Sequence, residues 1–254
     1  MAHPSAAVLE YHLVGYRRVW LSTVASSLAM PVLFFVGMGL AVGSYVDRGG
    51  SLPVPYLHYI APGLVAFTGL QIAVGEGGFP VLTNFKWQRI YDSMAAAPLR
   101  VTHMIIGRLG YIALRVMVAA TAFLLVMVAF GAVSSVFAIV LPLVAALVGL
   151  AAATPMFALA ASVNSPNVMG MISRVGLLPM MLFSGVFFPV EQLPNVVRPL
   201  AYALPLWNGV ELCRAATLAM PTAWPVMGHV AVLVAWAAVG LLAACSRFRR
   251  RLGT

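Results

Sequence analysis

The chain has 254 residues, of which 62% are hydrophobic and 8% are charged, and its mean hydropathy is +0.98. No soluble domain of this length buries so much apolar surface behind so few charges, so the composition excludes a soluble protein and predicts a polytopic membrane protein. The formal net charge of +9 would suggest nucleic acid binding in a soluble chain. In membrane proteins, however, Lys and Arg accumulate on cytoplasmic loops, and we expect no nucleic acid partner.

The sequence contains none of the motifs that accompany catalysis, metal binding or nucleotide binding. Its five histidines are scattered without metal-ligand spacing, and its lysine, Lys86, belongs to no phosphate-binding loop. Cys213 and Cys245 should lie toward opposite faces of the membrane, so we expect no disulfide between them. We therefore expect no enzyme active site, metal or cofactor on this chain.

The chain begins with an amphipathic segment, residues 1–19. Its apolar residues recur at helical spacing in a stripe from Leu9 to Trp20, which predicts a helix along the inner membrane surface. A secretory signal peptide is the alternative, but the apolar run that follows is too long for one. We therefore predict a first span over about 20–42, with a kink at Pro31.

Charge-free stretches define the remaining spans, because a charge in hydrocarbon is costly. Each span needs about 20 residues, so the long stretch after Arg115 must hold two spans, with a turn at 131–135. A second turn is expected at 164–167 from its composition. The predicted spans two to six cover about 59–82, 101–128, 136–161, 168–188 and 226–245.

The longest polar interruption, residues 84–100, lies between spans two and three. Its polar side comprises Lys86, Gln88, Arg89, Asp92 and Ser93. Its apolar side comprises Trp87, Ile90, Tyr91 and Met94. This pattern predicts an amphipathic helix of about 12 residues that lies along the membrane surface and is ended by Pro98. A plain solvated loop and a docking helix for a soluble partner are the alternatives that the pattern leaves open.

Between spans five and six, residues 189–225 contain six prolines. Two short helices fit this segment, at about 195–204 and 207–218, and neither is long enough to cross a bilayer. Their apolar content favours a re-entrant hairpin that dips into the outer leaflet over an ordinary surface loop.

Most of the positive charge falls on the side of the membrane that holds the N-terminus. That side carries Arg17, Arg18, Lys86, Arg89, Arg100, Arg174, Arg247, Arg249, Arg250 and Arg251. The other side carries Arg48, Arg198 and Arg214. The positive-inside rule therefore predicts that both termini and residues 84–100 are cytoplasmic, and that residues 189–225 are extracytoplasmic.

Four polar residues fall inside predicted spans two and three. Glu76 and Arg108 lie at similar depth, each about eight residues or roughly 12 Å from the inner end of its span. We predict that they form an ion pair, structural or switching, or else snorkel separately to the inner interface. Arg115 lies deeper and lacks an acidic partner, and Gln71 is at the right depth to accept a hydrogen bond from it. Binding of an anionic head group is a further interpretation for Arg115.

Two stretches resemble the permease subunits of ATP-binding-cassette type 2 exporters, most closely those of nodulation-factor and daunorubicin-type exporters. The sequence FSGVFFPVEQLPNVVRPLAYALPLWNGVELCRA at 183–215 is similar to the family signature. The sequence QRIYDSMAAAPLRVTHMIIGRL at 88–109 is similar to its coupling segment. The resemblance covers nearly the whole chain, including its length, its six spans and its N-terminal amphipathic helix.

The resemblance implies an all-α permease domain over 1–254, in the plasma membrane. Such permeases pair with an identical or paralogous copy, and each docks on a separate ATPase subunit that binds ATP and Mg. Residues 86–97 would then form a cytoplasmic coupling helix, with Tyr16, Arg17 and Arg18 in the N-terminal helix beside it. A lipophilic drug, lipid or glycolipid-like cargo would move outward along the dimer interface, lined mainly by spans two and five. Side chains near an outer gate would be Phe183, Phe187 and Phe188, for which plain packing is the alternative.

The residues alone leave other functions open. An ion-coupled secondary transporter would need intramembrane acids; Glu76 is the only candidate, and no inverted repeat is visible. A membrane-embedded enzyme would need a convergent polar site, which the predicted spans do not offer. A membrane assembly protein without transport activity remains a third interpretation.

Overall fold

The computed structural model describes residues 4–50, 52–97 and 99–253, which form helices and connecting loops without any strand in these ranges. The helices are α1 (Pro4–Ala41), α2 (Gly43–Arg48), α3 (Tyr56–Gly77), α4 (Phe79–Lys86), α5 (Ile90–Ala95), α6 (Val101–Ala129), α7 (Leu141–Ser162), α8 (Pro166–Phe183), α9 (Arg198–Ala203), α10 (Pro205–Leu218) and α11 (Val226–Leu252). Short 3-10 turns at Val136–Val140 and Val190–Gln192 precede α7 and α9.

Within the described ranges, six segments are long and apolar enough to cross a membrane, which confirms the predicted all-α fold class. They are Pro4–Arg48, Tyr56–Lys86, Val101–Ala129, Val136–Ser162, Pro166–Phe183 and Val226–Leu252. The turn predicted at 131–135 is present, with Gly131 at a φ of 68°. Cys213 and Cys245 are unpaired, as predicted.

Three boundaries differ from the sequence-based prediction. The amphipathic helix and the first span form one continuous helix, α1, because neither Gly15 nor Pro31 ends it. The fifth span stops at Phe183 rather than at residue 188, because Gly185 adopts a φ of 75° and the chain leaves the helix. The predicted turn at 164–167 is shorter, since α8 already begins at Pro166.

The core is built around α7, which packs against α3, α6, α10 and α11. Glycines allow two of these helices to approach closely. A Cβ at Gly69 of α3 would lie 2.7 Å from the carbonyl oxygen of Ala145, and a Cβ at Gly240 of α11 would lie 2.8 Å from the backbone nitrogen of Pro155. Small residues at helix contacts replace the hydrophobic driving force that a bilayer does not supply.

Different helices and loops lie at the two ends of the bundle. One end, here named the terminal end, holds the start of α1, helices α4 and α5, the α7–α8 connection and the last turns of α11. There Phe248 of α11 packs on Phe85 and Tyr91, and Val8 of α1 packs on Gly107 of α6. The opposite end, named the loop end, holds α2, α9, α10 and the two 3-10 turns.

Gly69 and Gly75 lie on the same helix and provide a matched test of the α3–α7 contact. Gly69→Ala should lower the melting temperature in detergent, because the added methyl group must push the helices apart at a cost of about 1–3 kcal/mol. A Cβ at Gly75 would meet no atom within 4 Å. Gly75→Ala should leave the melting temperature unchanged or raise it, since Ala favours a helix by about 1 kcal/mol over Gly. Equal effects of the two changes would contradict the close approach.

Candidate functional site

The polar segment between the second and third spans is not the single helix that the sequence predicts. Helix α4 ends at Lys86, residues 87–89 form a turn, and α5 begins at Ile90. Arg89 has a φ of 50°, which is left-handed and breaks the helix. The expectation of one helix over 86–97 was therefore wrong, while Pro98, predicted to end it, lies outside the described residues.

Tyr91 is the side chain that anchors this segment. It is 2% exposed and packs against Phe85 and Phe248, with ring centroids 4.6 Å and 5.2 Å away. Burial raises the pKa of the Tyr91 hydroxyl, which therefore stays protonated. Trp87 was expected to be buried as well, but it is 52% exposed at the end of α4, where its ring meets that of Phe79 at 6.2 Å between centroids. Ile90 and Met94 are half-buried.

The opposite face of this segment is free for a partner. Arg89 Nε donates to Asp92 Oδ2 over 3.1 Å, and the two side chains are 78% and 46% exposed. Ser93 donates its hydroxyl to the Arg89 carbonyl, and Gln88 is exposed. Arg17 is also exposed, on α1. An exposed ion pair adds little stability, so these charges are available to a second surface.

Lys86 is exposed, but its terminal amine bonds to another part of the protein. Its Nζ donates to the Asn164 carbonyl over 3.1 Å. Arg251 of α11 donates to the carbonyls of Ala160 and Val163 and to the Asn164 side chain. The last carbonyls of a helix lack partners within it and favour nearby cations. Arg251 therefore caps α7, and Lys86 holds the connection that follows it, a contact that was not predicted from the sequence.

Three charged side chains meet between α3 and α6. Arg108 Nη2 donates to Glu76 Oε2 over 2.7 Å and also to the Glu76 carbonyl. Arg115 Nη1 donates to Glu76 Oε1. The predicted Glu76–Arg108 ion pair is present, but the expectation that Arg115 lacks an acidic partner was wrong. Both arginines lie on one face of α6, two turns apart, so one carboxylate serves both.

Gln71 does not hydrogen-bond to Arg115 in the described structure. It is exposed on α3, and it lines a cavity of about 220 Å³ together with Glu76 and Arg115. Gln71 and Arg115 therefore lie near each other, but Arg115 Nη1 donates to Glu76 instead.

Helix α1 contributes two residues near the Glu76 contacts, His12, to which no role was given, and Tyr16, which the resemblance placed beside the coupling helix. His12 Nδ1 accepts a hydrogen bond from Arg108 Nη1 over 3.1 Å. Tyr16, one turn further along α1, meets the Tyr111 ring edge-on at 5.8 Å. The i, i+4 spacing of His12 and Tyr16, which puts both on the α6 side of α1, was the signal that could have found them.

At the loop end, Arg214 is buried although it was counted among the charges of an outer loop. Its guanidinium lies 3.7 Å from the ring centroid of Tyr59 and pairs with Glu211 over 3.6 Å. It also donates to the carbonyls of Tyr59 and Gly185. These contacts fasten α10 to α3 and to the end of α8.

The three phenylalanines assigned to an outer gate are not together. Phe187 and Phe188 line a cavity of about 640 Å³ between α1 and α8, where Phe187 meets Phe34 at 6.2 Å between ring centroids. Phe183, the last residue of α8, is 36% exposed and does not line this cavity. Only Phe187 and Phe188 are therefore placed to act on one opening.

Glu76 and the two arginines that it binds, Arg108 and Arg115, are named the Glu76 cluster. Replacing Glu76 should lower the free energy of unfolding more than replacing one of the two arginines. Glu76→Gln strands two buried guanidinium groups, and we expect a loss of about 3–5 kcal/mol in the free energy of unfolding. Adding Arg108→Gln should recover part of this loss, because Arg108 is then no longer stranded. The measurement is thermal unfolding in detergent, with Arg247→Gln, an exposed charge at the terminal end, as the control. Strictly additive losses would show that Glu76 and Arg108 do not interact.

Comparison with known proteins adds a family and several relatives. The sequence profile of the ABC-2 type transporter family matches residues 6–218. Nodulation protein J of Sinorhizobium fredii is 27% identical over 246 residues, which cover 97% of this chain and 93% of that protein. Nodulation protein J of Rhizobium leguminosarum bv. viciae is also 27% identical, with 97% and 94% covered. That of Bradyrhizobium diazoefficiens is 25% identical over 251 residues, with 99% and 95% covered.

Proposed function

The chain belongs to the ABC-2 type transporter family, and from this we propose that it is the permease subunit of an exporter powered by a separate ATPase subunit. The permease domain is residues 1–254. ATP and Mg are bound by the ATPase and not by this chain. The cargo that we propose is a lipophilic drug, a lipid or a glycolipid-like molecule, because the cavity of about 640 Å³ at the loop end is lined almost entirely by apolar side chains.

The observation that carries the proposal is the construction of the segment α4–α5. Its exposed face presents Arg89 and Asp92, while Tyr91 holds the other face against the bundle. Lys86 connects α4 to the α7–α8 connection at Asn164. Movement of an ATPase docked on Arg89 and Asp92 would therefore pass to α7 and α8. This is the mechanical role of a coupling helix, in which ATP binding closes the ATPase pair and the spans rearrange.

The charge distribution supports a cytoplasmic terminal end and a location in the plasma membrane. Exposed arginines cluster there in the last turns of α11, at Arg247, Arg249 and Arg250. At the loop end, Arg214 is buried against Tyr59, and its charge is already compensated within the protein. Free positive charge is thus concentrated at one end, as the positive-inside rule requires for the cytoplasmic side.

Helix α8 supports pairing with a second permease, identical or paralogous. Among its residues, Met169 alone is buried, and Arg174 is exposed halfway along the helix. An arginine that faces lipid at this depth is costly, whereas one that faces a partner or a water-filled path is tolerated. By contrast, Gln71 and Gly75 are the exposed residues of α3. Helix α8 therefore contributes more than α3 to the cargo path that we propose between two permeases.

The contacts of Glu76 weigh against ion-coupled transport. Both of its carboxylate oxygens accept hydrogen bonds from guanidinium groups, those of Arg108 and Arg115. A coupling acid must exchange a proton or a sodium ion during the cycle, and a carboxylate held by two arginines is poorly suited to that.

The coupling role can be tested by reversing the exposed pair. The double variant Arg89→Glu, Asp92→Arg keeps an internal pair and should insert normally in the membrane. It should weaken co-purification of the ATPase or uncouple its hydrolysis from export, because charges at such a rim determine register and partner choice.

Tyr91→Ala is the matched structural variant for this test. It should lower the free energy of unfolding by about 3 kcal/mol, because it removes a buried aromatic ring. If the double reversal assembles, hydrolyses ATP and transports cargo in reconstituted vesicles like the parent, the segment does not couple the two subunits.

The orientation can be tested with single cysteines in a background that lacks Cys213 and Cys245. Gln88, Asn195 and Arg250 are all exposed, so cysteines at these positions are accessible. On intact cells, an impermeant maleimide should label Asn195→Cys and leave Gln88→Cys and Arg250→Cys unlabelled until the membrane is permeabilised. Labelling of Gln88→Cys but not of Asn195→Cys would reverse the proposed orientation.

A further inference from the structure

Four buried polar atoms around the Glu76 cluster have no hydrogen-bond partner in the described part of the chain. They are His12 Nε2, Tyr16 Oη, Arg108 Nε and Arg115 Nε. Arg108 is only 6% exposed, so water does not replace the missing partner at its Nε. Leaving one buried donor unsatisfied costs about 1–3 kcal/mol, and here four polar atoms are left in one place.

The same cluster has more positive than negative charge. Arg108 and Arg115 share a single acid, Glu76, and the contact of His12 with Arg108 supplies no negative charge. Glu10 and Arg18 line the groove between α1 and α6, and their charges cancel. A buried charge in a membrane protein requires a counter-ion, so the described residues leave a requirement for one further anionic group.

Open space adjoins the unsatisfied atoms along α1. A groove of about 680 Å³ between α1 and α6 is lined by His12, Tyr16, Arg108 and Tyr111. A smaller cavity, which contains Gln71 and Arg115, lies next to Ser26 and Ser27 of α1. In the most apolar stretch of the first span only 12% of the residues are buried, so α1 lies at the flank of the bundle.

The depth of the cluster matches that of a lipid-like molecule near the terminal end. Arg108 lies about 10 Å along α6 from its start at Val101, at 1.5 Å per residue. The Arg108 side chain is held by Glu76 and His12 and does not extend to the head groups, so an oxyanion reaches it only by entering between α1 and α6. A ligand that arrives from the flank of α1 would therefore present its polar end to the cluster and its apolar part to the bilayer.

We propose that His12, Tyr16, Arg108 and Arg115 form a binding site for one oxyanion of an amphiphile, a phosphate or carboxylate group that enters along α1. The unsatisfied donors and the excess charge both favour an anion, and guanidinium groups bind planar or tetrahedral oxyanions through more than one N–H. The site deepens the proposed function, because it would make the exporter selective for anionic amphiphiles or retain an anionic lipid. Only the direction of entry rests on the proposed cytoplasmic terminal end.

The test is lipid retention by the purified chain, without the ATPase and without ATP. The protein is equilibrated in phosphatidylcholine bilayer discs that contain a small fraction of phosphatidylglycerol, released into neutral detergent, and examined by native mass spectrometry. We expect phosphatidylglycerol to be retained in preference to phosphatidylcholine. Arg115→Gln should weaken this preference about tenfold or more, the effect of losing one hydrogen bond to a charged group. Arg247→Gln removes an exposed charge from the same end and should leave it unchanged.

Two further variants separate a binding role from a structural one. Arg115→Lys keeps the charge and should recover much of the preference, while Tyr16→Phe keeps every charge and should weaken it about fivefold. If Arg115→Gln does not fold, Tyr16→Phe provides the test. An unchanged preference for phosphatidylglycerol over phosphatidylcholine in that variant overturns the proposal. Equal retention of the two lipids by the parent, or equal losses in Arg115→Gln and Arg247→Gln, also overturns it.

A second arm identifies the source of the oxyanion. Inorganic phosphate added to the lipid-loaded protein should displace phosphatidylglycerol if the cluster recognises the oxyanion alone. It should leave the lipid bound if the acyl chains along α1 contribute to the affinity. Because neither arm uses ATP hydrolysis, failure of this site leaves the coupling role of α4–α5 untouched, and failure of coupling leaves the site untouched.

Discussion

One carboxylate, that of Glu76, joins three helices that have few other polar contacts with one another. It accepts from Arg108 and Arg115 of α6, and through Arg108 it reaches His12 of α1. Hydrocarbon solvates none of these groups, so each depends on the others for its position. Helix α1 depends on them most, because so few of its side chains are buried. The cluster therefore fixes the position of α1. It also determines the shapes of the groove and the cavity that α1 lines.

The bundle divides into a tightly packed part and two loosely held helices. Around α7, glycine contacts bring α3 and α11 close enough that a single methyl group would clash. Helix α8, by contrast, buries little, and its attachments lie mainly at its two ends, near Asn164 and Gly185. Helices α3, α7 and α11 therefore form the tightly packed part of the bundle, and α8 lies at its edge.

Features that depend on hydrophobicity and depth could be predicted from the sequence, and features that depend on side-chain reach or backbone angles could not. The spans followed from charge-free stretches, and the Glu76–Arg108 pair followed from equal depth. The contact of Arg115 with Glu76 depends on how the long Arg115 side chain extends along α6. The break at Arg89 depends on a left-handed backbone that its residue type does not suggest. Arg214 was counted as a loop charge because counting takes no account of the aromatic ring on which it stacks.

The contacts at the end of α7 have a consequence for how distant parts of the chain are joined. Lys86 from the middle of the chain and Arg251 from the last turn of α11 hold the same short connection after α7. A shortened chain that stops before Arg251 would still contain all six spans and the whole of α4–α5. It would nevertheless lose one of the two side chains that hold this connection. The last turn of α11 thus helps to fix the end of α7 next to α4.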